Sequence, residues 1–204
     1  MKLTTKIILG ISIIVSSITG MFVSQEVAQQ IQLYSEGGSF CKELGSSPVS
    51  PELSKLTYQA LRAMNVPHKN LVHVYATDKG SCSTTWQIWL NEEEVLGPIE
   101  FVVFHECAHI ALGHFRKHMF QEVSDAQARA EEVEADLLAC NKLFELGMSD
   151  IIVKRIEHIK YAIDNNYYEN DLDDHPTFKQ MYEYMTAFAR SKGIVYEANN
   201  SKKS

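Results

Sequence analysis

The segment VVFHECAHIALGH, residues 102–114, places two histidines four positions apart and a glutamate directly after the first. On an α-helix, positions i and i+4 lie one above the other on the same face. His105 and His109 would therefore present both imidazoles to one point, which suits two of the four positions around zinc. Glu106 lies about 100° further round the helix, so it could reach a water at the metal without being a ligand. This H-E-x-x-H spacing predicts metal-assisted hydrolysis with Glu106 as the general base.

A catalytic zinc site also needs a third protein ligand and one open position. Glu132 and Asp136 are four positions apart in a predicted helix, ARAEEVEADLLAC, in which apolar residues alternate with the acids. We predict that Glu132 completes the ligand set and that Asp136 holds the free ring N–H of a ligand histidine. A solvated acidic helix face is the alternative to such a site. Two other residues of this run remain alternative ligands, Glu131 and Glu134.

His114 is the next histidine after the motif, five positions beyond His109. On a continuous helix this spacing rotates His114 off the ligand face, which favours a role at the edge of the site or in the structure. The spacing of a metzincin would instead need a glycine at 112 and a histidine at 115, where this chain has Leu112 and Phe115.

The elements that must position these residues are predicted to form a helix-rich α+β domain with a small sheet before the histidine helix. Ser50-Pro51-Glu52 is typical of a helix start. The predicted helices run from Pro51 to about Asn65, from Pro98 to Phe115, from about Glu122 to Leu146, from a Ser149 cap to about Asn165, and from Pro176 to about Lys192. The predicted strands are residues 71–77 and 84–90, with a turn over residues 78–83 between them.

The N-terminal residues have the layout of an export signal. Lys2 and Lys6 precede an uncharged, mostly apolar run of 17 residues, 7–23. That length is at the lower limit for spanning a bilayer, so an uncleaved membrane anchor is the alternative to a cleaved signal peptide. We therefore expect residues 1–24 to be a signal or anchor, 25–51 a connector, 52–198 the catalytic domain and 199–204 a polar tail. The protein would then be periplasmic or secreted, or anchored in the membrane with its domain outside the cytoplasm.

Export bears on the four cysteines, because disulfides persist in oxidising compartments. Cys41 and Cys82 each lie in a Gly/Ser-rich stretch and could pair, whereas Cys107 and Cys140 fall in helical patterns and are expected to pack as small hydrophobes. The net charge of −7 and the lack of a basic block argue against a nucleic-acid partner.

The motifs together resemble those of a known enzyme family. HECAHIALGH, followed 23 residues after His109 by EVEADLLA, resembles the gluzincin zinc peptidases of the CAAX prenyl protease and heat-shock HtpX-like family. DDHPTFKQMYEYM is similar to the His-Pro segment of these enzymes, so the resemblance spans roughly residues 95–188. Since this chain has a single long apolar segment, it resembles a small soluble or singly anchored branch.

The resemblance implies a zincin-like fold with one Zn²⁺ per chain, held by His105, His109 and Glu132, and with Asp136 behind the ligands. It also implies that His175 is a catalytic-site residue near the substrate oxyanion; the alternative is a loop residue at a helix start before Pro176. The strand at 84–90 would be the sheet edge against which an extended peptide lies.

We therefore expect a zinc-dependent endopeptidase that acts on polypeptides, in particular exported or misfolded ones. The rival from another class is a zinc-containing, client-binding or chaperone-like protein without turnover. Glu106 argues against that rival, because a protein that only binds needs no base there. Hydrolysis of a non-peptide amide is a third alternative.

Overall fold

The structure, a computed structural model, describes residues 47–78, 80–93, 97–118, 121–166 and 175–196. The predicted export segment, most of the connector, Cys41 and the tail 199–204 lie outside the described residues. The predictions about export and about a Cys41–Cys82 pair therefore stay predictions. None of the helices in the described ranges combines the length and the apolar composition of a bilayer-spanning segment.

The helices begin and end close to their predicted positions. They are α1 Pro51–Ala63, α2 Ile99–Leu112, α3 His114–His118, α4 Asp125–Glu145, α5 Ser149–Asp164 and α6 Phe178–Ser191, with a 3₁₀ turn at Lys69–Leu71. The Ser50 side chain accepts a hydrogen bond from the Leu53 N–H and caps α1 as predicted. The prediction that Ser149 caps α5 was wrong: Ser149 is the first helical residue, and Met148 in the cap position makes no side-chain hydrogen bond.

The sheet has four short strands in the order β1-β2-β4-β3, where β1 is Ser47–Pro48, β2 His73–Ala76, β3 Cys82–Ser83 and β4 Gln87–Leu90. β2 and β4 run parallel, while β1 and β3 are antiparallel to their neighbours. This mixed sheet before the long helices confirms the α+β class. The predicted turn at 78–83 contains β3, and the predicted edge strand was wrong, because β4 is interior and β3 forms the edge on that side.

The core is built around α2, which packs against α1, α4, α5 and the sheet. Its first two turns bury four consecutive apolar side chains, and a helix that is apolar on all sides must be enclosed by other elements. β4 is likewise buried on both faces, at Ile88, Trp89 and Leu90. The alternation of side chains along β4 therefore does not separate a solvent-exposed face from a buried face. The histidine motif therefore lies on the most enclosed helix of the described part of the chain.

The predicted extension of the histidine helix to Phe115 was also wrong. α2 ends at Leu112 because Gly113 takes the left-handed conformation, φ 69°, and its N–H bonds back to the His109 and Ile110 carbonyls. This is the usual glycine helix terminus, since a residue without Cβ adopts positive φ at little cost. α3 then starts in a new direction at His114.

Candidate metal centre and cleft

Three side chains from α2 and α4 converge on one point. The Nε2 atoms of His105 and His109 are 3.0 Å apart. The Glu132 carboxylate approaches both, with Oε2 3.2 Å from His105 Nε2 and Oε1 3.4 Å from His109 Nε2. Among the described residues, this is the group of His, Cys, Asp and Glu side chains that could hold a metal ion.

The spacing of these donor atoms fits a tetrahedral ion. Zinc binds imidazole nitrogen and carboxylate oxygen at about 2.0–2.2 Å, so two ligand atoms around it lie about 3.3 Å apart. The three separations between His105, His109 and Glu132 bracket that value. Because one side of the group faces a cleft, a fourth position would stay open.

The charges in this group are arranged for a cation. Burial would raise the pKa of Glu132, but hydrogen bonds and charges from His105 and His109 outweigh burial and hold this pKa far below its usual value. Burial would lower the pKa of His105, but Asp136 and Glu132 raise it well above its usual value. A metal ion would therefore compete with a proton for His105, which is the normal coupling between metal binding and proton release.

Asp136 holds the other side of the His105 ring. The His105 Nδ1–H donates to Asp136 Oδ1 at 2.8 Å, which leaves Nε2 directed at the proposed ion. The Tyr184 hydroxyl of α6 donates to the second oxygen of the same carboxylate. Asp136 is almost fully buried, and a buried carboxylate with both oxygens bonded fixes the tautomer and orientation of the histidine it serves.

Replacing Asp136 by Asn is expected to weaken metal binding by about 10–100-fold, the usual cost of losing such an outer partner. The reason is that Asn removes the charge that makes His105 a strong ligand while it keeps the side-chain volume. Competition with a zinc chelator would measure the affinity. Asp164→Asn is the matched control, because Asp164 is exposed on α5, where it pairs with Lys160. Equal affinities for the two variants would contradict this role of Asp136.

The cleft beside the metal group has a volume of about 280 Å³. Glu106 lines it, is 6 % exposed and is hydrogen-bonded by the Ser83 hydroxyl of β3. Burial raises the pKa of Glu106, and the nearby histidines and Ser83 only partly offset this effect. A carboxylate with a raised pKa is a better proton acceptor near neutral pH.

His175 also lines this cleft, so the structure brings the predicted catalytic pair to one place. Its side chain is 44 % exposed, and its Nε2 is 3.8 Å from Glu132 Oε2. α6 begins after it with a capping box formed by Thr177 and Gln180, which fixes the chain direction at this point.

A comparison with models of protein families shows which family the chain belongs to. The IrrE N-terminal-like domain, peptidase family M78, matches residues 60–199, which is 140 of the 204 residues. The chain belongs to this family. No curated protein and no solved structure matches the chain. The match agrees with a peptidase-like domain and a metal group, but it does not confirm the finer resemblance to the CAAX prenyl protease and HtpX-like peptidases.

The two alternative ligands of this IrrE N-terminal-like domain make other contacts. Glu131 is buried, pairs with His118 and lies 3.8 Å from Lys117 of α3. Burial would raise the pKa of Glu131, but the His118 hydrogen bond and neighbouring positive charges lower it. Glu134 points to His114 instead of to the metal group, with Oε2 3.3 Å from the His114 Nε2.

Sequence reasoning missed two partners of the predicted site residues, and it missed the contact that a third residue makes. The sequence gives no sign of the Ser83 and Tyr184 contacts, since neither residue has a fixed spacing to its partner: Ser83 is 23 positions before Glu106, and Tyr184 is 48 positions after Asp136. The third residue is His114, which was predicted at the edge of the site or in the structure; it lines the cleft, and its Nδ1 lies 2.9 Å from His109 Nδ1, a contact that was not predicted. Gly113 was the available signal for it, because a glycine inside an apolar helical run is a candidate helix terminus.

Proposed function

We propose that this chain is a zinc-dependent endopeptidase in which Glu106 is the general base. The observation that carries the proposal is the convergence of His105, His109 and Glu132 at a cleft that also holds buried Glu106. Two imidazoles and one carboxylate form a ligand set of catalytic zinc sites and leave one position open. Zinc, when bound, would polarise the substrate carbonyl and allow water to lose a proton near neutral pH.

The chain's own groups would carry the proton. Glu106 would accept the proton of the attacking water and return it to the leaving amine, which is the two-step role of a general acid–base group. The Ser83 hydrogen bond would hold the Glu106 carboxylate in one orientation. His175, at the exposed side of the cleft, would donate an N–H to the oxyanion that develops on the carbonyl oxygen.

Edge strand β3 supports a peptide as the substrate. Ser81, Cys82 and Ser83 line the cleft, and among the strands that the structure describes β3 pairs with β4 alone. An extended chain could add to such an edge through backbone hydrogen bonds and would then run past Glu106. Because this mode needs an extended segment, unfolded or misfolded polypeptides are the proposed substrates.

Casein cleavage by the purified full chain would test the proposed activity, because casein offers flexible, extended segments. We expect cleavage with about one zinc per chain, loss of cleavage when a chelator removes the metal, and recovery when Zn²⁺ is added back. Zinc bound at that ratio with no cleavage of casein or of a peptide library would favour the client-binding alternative. Absence of bound zinc would contradict the proposed site.

Export is proposed separately and rests on residues 1–24. Fractionation of expressing cells, with the intact mass of the mature protein, would test it. We expect either a shortened protein outside the cytoplasm or an intact one in the membrane fraction. Intact chain in the cytosolic fraction would contradict export. A closer kinship to the CAAX prenyl protease and HtpX-like peptidases also stays a proposal, which superposition of an experimental structure on those enzymes would test.

A further inference from the structure

His114 is a buried histidine that the proposed catalytic steps do not use. Its side chain is 2 % exposed, although α3, on which it lies, is only five residues long. The left-handed turn at Gly113 brings its ring against the ring of His109, with the two Nδ1 atoms 2.9 Å apart. Its other nitrogen, Nε2, lies 3.3 Å from Oε2 of Glu134.

His114 is not placed to share the metal ion. It meets His109 at Nδ1, whereas His109 Nε2 is the atom that converges with His105 and Glu132. It also does not belong to the described group that could hold a metal. A role through His109 is therefore the one that its contacts support.

The hydrogen bonds along this row of side chains determine one another. If His109 gives Nε2 to the metal, its ring hydrogen must lie on Nδ1, because a neutral imidazole has one donor and one acceptor nitrogen. His109 Nδ1–H then donates to His114 Nδ1, so the hydrogen of His114 lies on Nε2. That N–H donates to the Glu134 carboxylate, because an ionised carboxylate is an acceptor and cannot donate.

We propose that His114 is a positioning residue that fixes the tautomer and ring orientation of His109 for metal binding. This inference rests on the proposed function, in which His109 is a zinc ligand. His105 and His109 are then oriented by different kinds of hydrogen-bond acceptor. A buried carboxylate, Asp136, holds His105, whereas a neutral imidazole holds His109 and the terminal carboxylate, Glu134, stays 59 % exposed to solvent.

This difference has a physical reason. A second buried carboxylate beside His109 would add another negative charge close to Glu132 and Asp136, and unpaired buried charge is costly. An imidazole supplies the same acceptor without charge. Glu134 completes the row where water screens its charge, so Glu134 is expected to contribute less than His114.

The direct test is the tautomer of His114 in the zinc-loaded full chain. Long-range ¹H–¹⁵N correlations of the histidine rings distinguish a ring protonated at Nδ1, at Nε2 or at both. We expect His109 to carry its hydrogen on Nδ1 and His114 to carry its hydrogen on Nε2. A His114 ring protonated at Nδ1 or at both nitrogens would overturn the proposal. This measurement needs no variant, so it does not depend on whether a substituted chain folds.

Two amide substitutions give a second test, because they replace different nitrogens of the ring. In His114→Asn the amide oxygen can take the place of Nδ1 and accept from His109, whereas in His114→Gln the amide lies near the place of Nε2 and the acceptor is lost. We expect His114→Asn to keep zinc affinity within about threefold of the unsubstituted chain and His114→Gln to lose about 10–100-fold, as for other outer partners of ligands.

Chelator competition would measure zinc affinity, and the melting temperature of the metal-free protein would report the structural cost of each variant. Equal loss of affinity in both variants, or no loss in either, would overturn the proposal. If His114→Gln does not fold, a loss of about tenfold or more in His114→Asn would still overturn it. If the unsubstituted chain binds no zinc, the proposed metal site itself fails, which is a different result from a failure of His114's role.

Discussion

Glu106→Gln is expected to lower turnover by about 10²–10⁴-fold while zinc stays bound, because an amide cannot accept the water proton. Gln keeps the size of the side chain, and its carbonyl oxygen can still accept the Ser83 hydrogen bond. The metal ligands are untouched, so zinc content should equal that of the unsubstituted chain. Peptide cleavage and metal content measured on the same preparation would check the two parts of this prediction.

Glu100→Gln is the matched control for Glu106→Gln, since it makes the same change on the same helix. Glu100 lies in the first turn of α2 and does not line the cleft. We expect it to cleave at the rate of the unsubstituted chain. If Glu106→Gln kept most of the activity, another group would be the base. If it lost zinc, Glu106 would act on the metal group instead of on the water.

The residues that converge at the candidate metal group could be predicted because they follow from helix geometry and from the apolar pattern of the two helices. The spacing of His105 and His109, and that of Glu132 and Asp136, fixes which side chains share a face on α2 and α4. The apolar residues between them identify the faces that pack together, since α2 is enclosed and α4 lies against it. The Ser50 cap was predictable for the same reason, because Ser50 acts on a residue only three positions away.

The errors concern features that depend on distant parts of the chain or on one backbone angle. β3 is two residues long and is a strand only because β4 pairs with it, so no alternation in its own sequence could have shown it. The same pairing makes β4 interior, so the proposed peptide-binding edge is β3. The position of His114 depends on one left-handed residue, Gly113, which ends α2 earlier than its apolar pattern suggests.

Glu132→Gln is expected to lower zinc affinity by more than Asp136→Asn does. Loss of a residue that hydrogen-bonds a ligand typically costs about 10–100-fold, whereas Glu132→Gln removes a charged ligand itself. The melting temperature gives a second measure of the lost zinc affinity. Zinc should raise the melting temperature of the unsubstituted chain, since a ligand that binds only the folded state stabilises it by about 2.7 kcal/mol at 100 times its dissociation constant. In Glu132→Gln the same zinc concentration should give little or no rise.

The run that contains Glu132 supplies its own controls. Glu131→Gln and Glu134→Gln make the same change one position before and two positions after it, on the same helix. Glu131 pairs with His118, and Glu134 with His114, so we expect both variants to keep zinc affinity within about threefold, a difference of less than 1 kcal/mol. Glu134→Gln also keeps an acceptor for the His114 N–H. Loss of zinc in Glu131→Gln with retention in Glu132→Gln would mean that α4 presents a different face to α2, and both the ligand set and the role of Asp136 would then be wrong.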